Sequence, residues 1–137
     1  MRMLRSAAAL LIATPMLAAC TTSATCYDWV VYDSVERMHE DATLVVAAGR
    51  IEPAGTPTWS GARANLYDVE AAPVGPDGEV REMGLRLRVL STPETCSGET
   101  YPDGDPMLGA HDVDLYLTEE DDGTLRTPTP FRGVGAP

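Results

Sequence analysis

Glycine and proline punctuate this chain closely, with 12 of the first and 11 of the second among 137 residues. Little room is left for anything but short extended segments joined by turns. Between the breaks, apolar and polar residues alternate. Leu85, Leu87 and Val89 alternate with Arg86 and Arg88 within Val80–Leu90, the period of a strand with one buried face. Asp112–Thr118 alternates in the same way through Val113, Leu115 and Leu117. Thr43–Ile51 is a continuous run of branched and small apolar residues with Gly49 inside it, which predicts a buried strand with a bulge. Ala62, Ala64 and Leu66 alternate with Arg63 and Asn65, and then Tyr67, Val69 and Ala71 with Asp68 and Glu70. The phase slips at Leu66–Tyr67, which predicts a second bulge there. Pro53–Gly61 reads as a loop, Gly75–Gly78 as a tight turn and Thr92–Gly109 as a long irregular connection. Glu119–Gly123 reads as another turn, and Thr129–Val134 as a last short strand.

One helix precedes these strands. Tyr27, Val31, Val35 and Met38 fall at i, i+4, i+8 and i+11, so the spacing predicts a helix over Tyr27–Glu40 with one apolar face. Two valines and Trp29 lower its intrinsic propensity, and packing must hold it. One helix followed by about five short strands points to a mainly β fold. A small closed or partly open barrel suits it best, with a β-sandwich as the alternative.

The first residues have a different character. Met1-Arg2-Met3-Leu4-Arg5 is positively charged, Ser6–Ala19 is almost wholly small or apolar and contains Pro15, and the run ends in Leu17-Ala18-Ala19-Cys20. The apolar stretch is short for a membrane span. With its charged start and small residues before a cysteine, this segment resembles the leader of bacterial lipoprotein precursors. The resemblance implies a signal peptide over residues 1–19, a diacylglyceryl thioether on Cys20, and cleavage between Ala19 and Cys20. The alternatives are an unlipidated secretory leader ending at the same alanines and a hydrophobic N-terminal helix that is kept. Two acyl chains hold a protein where one is marginal, each buried CH₂ being worth about 0.8 kcal/mol. Residues 20–25 would be the lipidated cysteine and a polar tether, and residues 26–137 a single β-rich domain. The expected address is the extracytoplasmic side of a bacterial membrane, in the cell envelope.

Once Cys20 is given to lipid, Cys26 and Cys96 remain of the three cysteines. In an oxidising compartment a disulfide is the default, and a redox or metal-ligand pair is the alternative. Processing would remove Arg2 and Arg5 and leave eight arginines against 21 acidic residues, a formal charge of −13. Such a body is expected to stand off an anionic lipid surface. The acidity and the complete lack of lysine also argue against nucleic acid, whose backbone is held by clustered cations.

A second resemblance rests on apolar patterning across residues 36–118. Asp41-Ala42-Thr43-Leu44-Val45-Val46-Ala47-Ala48-Gly49-Arg50-Ile51, then Tyr67-Asp68-Val69-Glu70, then Leu108-Gly109 running to Leu115-Tyr116-Leu117 is similar to netrin-like and tissue-inhibitor-of-metalloproteinase domains. It implies an OB-like β-barrel. The inhibitors chelate zinc with a free N-terminal cysteine amine, and an acylated Cys20 departs from that, so the likeness carries the fold and not the activity.

Residues for catalysis are sparse. His39 and His111 are the only imidazoles, and the segment after His39 lacks the second histidine of a zinc-protease helix. There is no Gly-x-Ser-x-Gly elbow, and no P-loop is possible without lysine. Asp103, Asp105, Asp112 and Asp114 supply hard oxygens in glycine-rich chain, which calcium prefers. EF-hand spacing is lacking, so solvated turns are the simpler reading. Arg86 and Arg88 either meet an anionic ligand or cover apolar surface with their stems. The expectation is a non-enzymatic domain without a cofactor, moored through Cys20 and presenting a surface to an envelope protein or peptide. An inhibitor of an envelope hydrolase acting through Thr92–Gly109, or a calcium-stabilised structural lipoprotein, are the alternatives.

Overall fold

The computed structural model describes residues 25–82 and 84–136. Residues 1–24, which hold the expected signal peptide, Cys20 and most of the expected tether, lie outside the described residues. Chain order is a helix α1 (Val35–Asp41) followed by strands β1 (Leu44–Gly55), β2 (Thr58–Trp59), β3 (Ala62–Arg63), β4 (Asn65–Pro73), β5 (Leu85–Ser91), β6 (Val113–Glu119), β7 (Leu125–Arg126) and β8 (Val134–Gly135).

The main sheet runs β1-β4-β5-β7-β6, and β6 pairs again with β1. The result is a closed five-stranded barrel of the small OB-like kind, not a sandwich. Its pairings are antiparallel except for β5–β7, which is parallel through Val89–Leu125 and Leu90–Arg126. Strand β8 lies beside β6, and β2–β3 is a separate hairpin. The core follows the two-residue period of each strand. Val46 and Ala48 of β1, Tyr67, Val69 and Ala71 of β4, Val89 of β5, and Leu115 and Leu117 of β6 all point inward. Leu44, Ile51, Leu85, Leu87, Val113, Leu125 and Val134 pack around them.

Five sequence expectations are corrected. The helix is only Val35–Asp41, capped by Ser34, whose side chain accepts from the Arg37 N–H. Tyr27–Ser34 is not helical. The Tyr27 and Trp29 rings lie 5.0 Å apart between centroids, tilted by 34°, and neighbours at i, i+2 share a side in extended chain, not in a helix. The helix buries Met38 against Tyr116, with Tyr32, Ala42 and Val45 beside it. That is why Leu115, Tyr116 and Leu117 are buried in succession: the barrel covers one face of β6 and the helix the other.

The β1 bulge occurs where expected, the register against β4 jumping from Ala48 to Arg50 across Gly49. The second irregularity also belongs to β1, between Pro53 and Gly55, while β4 pairs with β5 in unbroken register through Leu66 and Tyr67. The phase slip has another cause: Ala62–Arg63 belongs to the hairpin and the chain breaks at Ala64 before entering the barrel. Pro53–Gly61, expected as loop, therefore holds the end of β1 and the start of that hairpin. Ser60 and Gly61 both have positive φ, 49° and 81°, the two-residue turn whose twist suits a hairpin.

The strand predicted over Val80–Leu90 begins only at Leu85, Val80 making an isolated bridge to Val74 across the Gly75–Gly78 turn. Of Thr129–Val134 only Val134 is strand, and β7 was not anticipated. Its seam with β5 is sealed by buried threonines: the Thr92 N–H donates to Thr127 Oγ1 at 2.9 Å, and the Thr92 hydroxyl to the Thr127 carbonyl at 2.5 Å.

Candidate functional site

The irregular connection between β5 and β6 folds across the barrel and is tied down by one carboxylate. Asp105 accepts from the Asn65 amide nitrogen at 2.7 Å, the Tyr67 hydroxyl at 2.5 Å, the Ser91 hydroxyl at 2.6 Å and the Met107 N–H at 3.0 Å. Tyr101 adds a second tie, donating to the Ser91 carbonyl at 2.7 Å and accepting from the Asn65 N–H at 3.0 Å. These bonds seat Met107, wholly buried, in the barrel core. Burial first, and then the Asp105 carboxylate, push the Tyr67 phenol far above its ordinary range. Burial likewise raises Tyr101. Both phenols are thus fixed as neutral donors.

The four candidate calcium aspartates do not converge. Asp105 is consumed by the knot just described. Asp103 is exposed, Asp112 is exposed beside His111 with 3.2 Å between Nδ1 and Oδ2, and Asp114 lies on β6 opposite Ala47 and Gly135. Desolvation raises the Asp114 carboxyl above its ordinary value. Among the described residues no group of three or more His, Cys, Asp or Glu is placed to hold a metal ion. Cys26 and Cys96 are joined in a disulfide with their Cα atoms 5.1 Å apart.

Beside that disulfide is an assembly that the sequence reading missed. Tyr27 and Trp29, from the segment before the helix, stack with Trp59 of the hairpin at centroid distances of 5.5 and 5.9 Å. Arg126 of β7 places its guanidinium 5.5 Å from the Trp29 ring centre and 5.3 Å from that of Trp59, within cation–π range. Glu120 pairs with Arg126 Nε, while Nη1 donates to the Thr127 and Pro128 carbonyls at 3.0 and 3.1 Å. The Arg126 side chain is only 13% exposed, so its charge is met by these partners and not by water. The Trp29 indole N–H is buried with no acceptor. No spacing rule joins residues 27, 29, 59 and 126. Trp59 before Ser60-Gly61 was the one available signal, an aromatic beside a tight turn.

A third surface is the outside of β1, β4 and β5. Here Arg50, Glu70 and Arg86 stand in one cross-strand row, and Glu52, Asp68 and Arg88 in the next. They line a shallow cleft of about 380 Å³. Arg50 pairs with Glu52 at 2.6 Å and Arg88 with Asp68 at 3.2 Å, all largely exposed. Opposite charges directly across strands stabilise a sheet modestly, by about 0.2–1 kcal/mol each. Glu52 faces Asp68, a like pair, so the outer face is one of mixed charge, three arginines among three acids, and not a basic patch.

A scan against protein-family models, a search of curated proteins and a search of solved structures found no match.

Proposed function

We propose that this chain is a lipid-anchored cell-envelope protein whose barrel is a non-catalytic binding module. The observation that carries the reading is the Cys26–Cys96 disulfide. It belongs to an oxidising compartment, and it leaves Cys20, the residue at the lipoprotein-like cleavage point, as the odd cysteine of three. The binding surface we assign is the cleft on β1, β4 and β5. OB barrels use the corresponding face, that of their second and third strands, for ligands. Its three arginines set among three acids suit a peptide or protein segment of mixed charge better than a polyanion. The connection after β5 is a poorer candidate for an inhibitory plug, because Tyr101, Asp105 and Met107 are spent on the chain's own barrel.

Two measurements test this. Protein recovered from bacterial membranes should begin at Cys20 and be heavier by its acyl groups, and Cys20→Ser should release it to the soluble fraction. An unmodified Cys20 would overturn the anchor. For the surface, crosslinking in intact cells should capture an envelope partner with the native chain and lose it with Arg86→Glu combined with Arg88→Glu. Equal capture by both would remove this mixed-charge face from the interaction.

A further inference from the structure

We infer that the end of the domain nearest the tether is a second, lipid-facing contact, in which Tyr27, Val30 and Val31 lie against the headgroups of a zwitterionic bilayer. The inference rests on the reading of Cys20 as the anchor. Six large hydrophobic side chains are exposed among the described residues, and four of them, Tyr27, Val30, Val31 and Val35, lie within nine consecutive positions. Val31 is 77% exposed and Val30 56%. Beside Val31 is a cleft of about 360 Å³ lined also by Tyr27, Trp29 and Phe131. Scattered exposed apolar residues are ordinary, but Tyr27 and Val31 gather with Trp29 and Phe131 on one cleft, and apolar surface gathered in this way marks an interaction site.

The tether says what that patch meets. Only Thr21–Thr25 separate Cys20 from Cys26, and extended chain spans at most about 3.6 Å per residue. Cys26 is therefore held within about 20 Å of an acylated Cys20, less than a domain diameter. The segment cannot pay out further chain, because Cys26 is bonded to Cys96 and the Thr25 N–H donates to the Ser60 carbonyl at 3.0 Å. The patch is thus on the side of the domain that is tied to the bilayer. Its composition fits that depth, since Trp and Tyr concentrate at membrane–water interfaces. Charge selects the lipid. Asp28 and Glu94 line the same cleft, and they favour the ammonium groups of phosphatidylcholine and phosphatidylethanolamine over bare anionic headgroups.

Trp29 and Trp59 are the chain's only tryptophans, so intrinsic fluorescence reports this one place. The acylated protein, reconstituted in phosphatidylcholine–phosphatidylethanolamine vesicles, is compared with the same vesicles carrying lipid brominated near the ester end. Bromine is expected to lower the tryptophan emission, because both indoles belong to the assembly that includes Tyr27. Val30→Asp with Val31→Asp, both at exposed positions, should restore the emission while the protein still sediments with the vesicles. Unchanged emission in sedimenting native protein would overturn the inference, as would equal quenching of the double variant. So would a native emission change that depends on protein density without bromine, which marks a second copy on the patch. If mass spectrometry finds Cys20 unmodified, the anchor reading falls separately. The patch is then judged by the same quenching after coupling Cys20, the thiol outside the disulfide, to a maleimide phospholipid.

Discussion

Two irregular stretches are held to the same barrel by opposite means. The connection from Thr92 to Asp112 is fastened by polar groups that are all satisfied: one carboxylate collects four donors, and a methionine beneath it completes the core. The segment from Thr25 to Ser34 is fastened by a disulfide and by stacked aromatic rings around an arginine. It leaves valines in water and an indole N–H without an acceptor. The first stretch has turned its chemistry inward, and the second keeps apolar surface facing out. A region that spends its side chains on its own fold has little to offer a partner, so function is better sought at the second stretch and on the charged strand face than in the long loop.

The largest way to break this comparison is covalent. A disulfide closing a loop of this size contributes about 4 kcal/mol by chain entropy. Cys26→Ser with Cys96→Ser should lower the urea stability by that order and free the aromatic segment first, seen as a red shift of tryptophan emission before global unfolding. Asp105→Ala comes next, at about 3 kcal/mol, because it strands several buried donors at once. Its urea transition should shift with no early tryptophan change, since neither indole touches the knot. If both variants gave the same fluorescence sequence, the two fastenings would be one cooperative unit and the contrast would fail. Trp29→Phe removes a donor that has no acceptor and should change stability by less than about 1 kcal/mol, as read by the same unfolding curve. The smallest effect lies outside both regions. Burial holds the Asp114 carboxyl above its unfolded value, so its charged form is disfavoured in the fold and its contribution declines as pH rises through that raised value. Asp114→Asn should therefore raise the melting temperature at pH 7 more than at pH 4.

How much of this was legible beforehand depends on which neighbours supply the information. The barrel strands were legible because their periodicity is local: Leu85, Leu87 and Val89 point inward, as do Leu115 and Leu117, and Gly49 marks a real bulge. The helix start was misread because Tyr27, Val31 and Val35 keep helical spacing yet are all exposed. Tyr27 and Trp29 instead stack on Trp59, a residue of the hairpin, and no local pattern contains that contact. Asp105 was read with its acidic neighbours as a possible cation ligand, whereas its partners come from β4 and the end of β5. The Cys26–Cys96 pairing was legible from residue counting and chemistry together. Arg126 gave no sign, because its place over two indoles exists only once the barrel has closed.

That closure has a consequence for how the molecule is made. Its parallel seam joins Val89 and Leu90 to Leu125 and Arg126, so the last tenth of the chain supplies the stave that shuts the barrel. Until those residues emerge from the ribosome, the sheet upstream lacks the strand that closes it. Such a chain sets late, when its short parallel strand pairs and the sheet closes around one core.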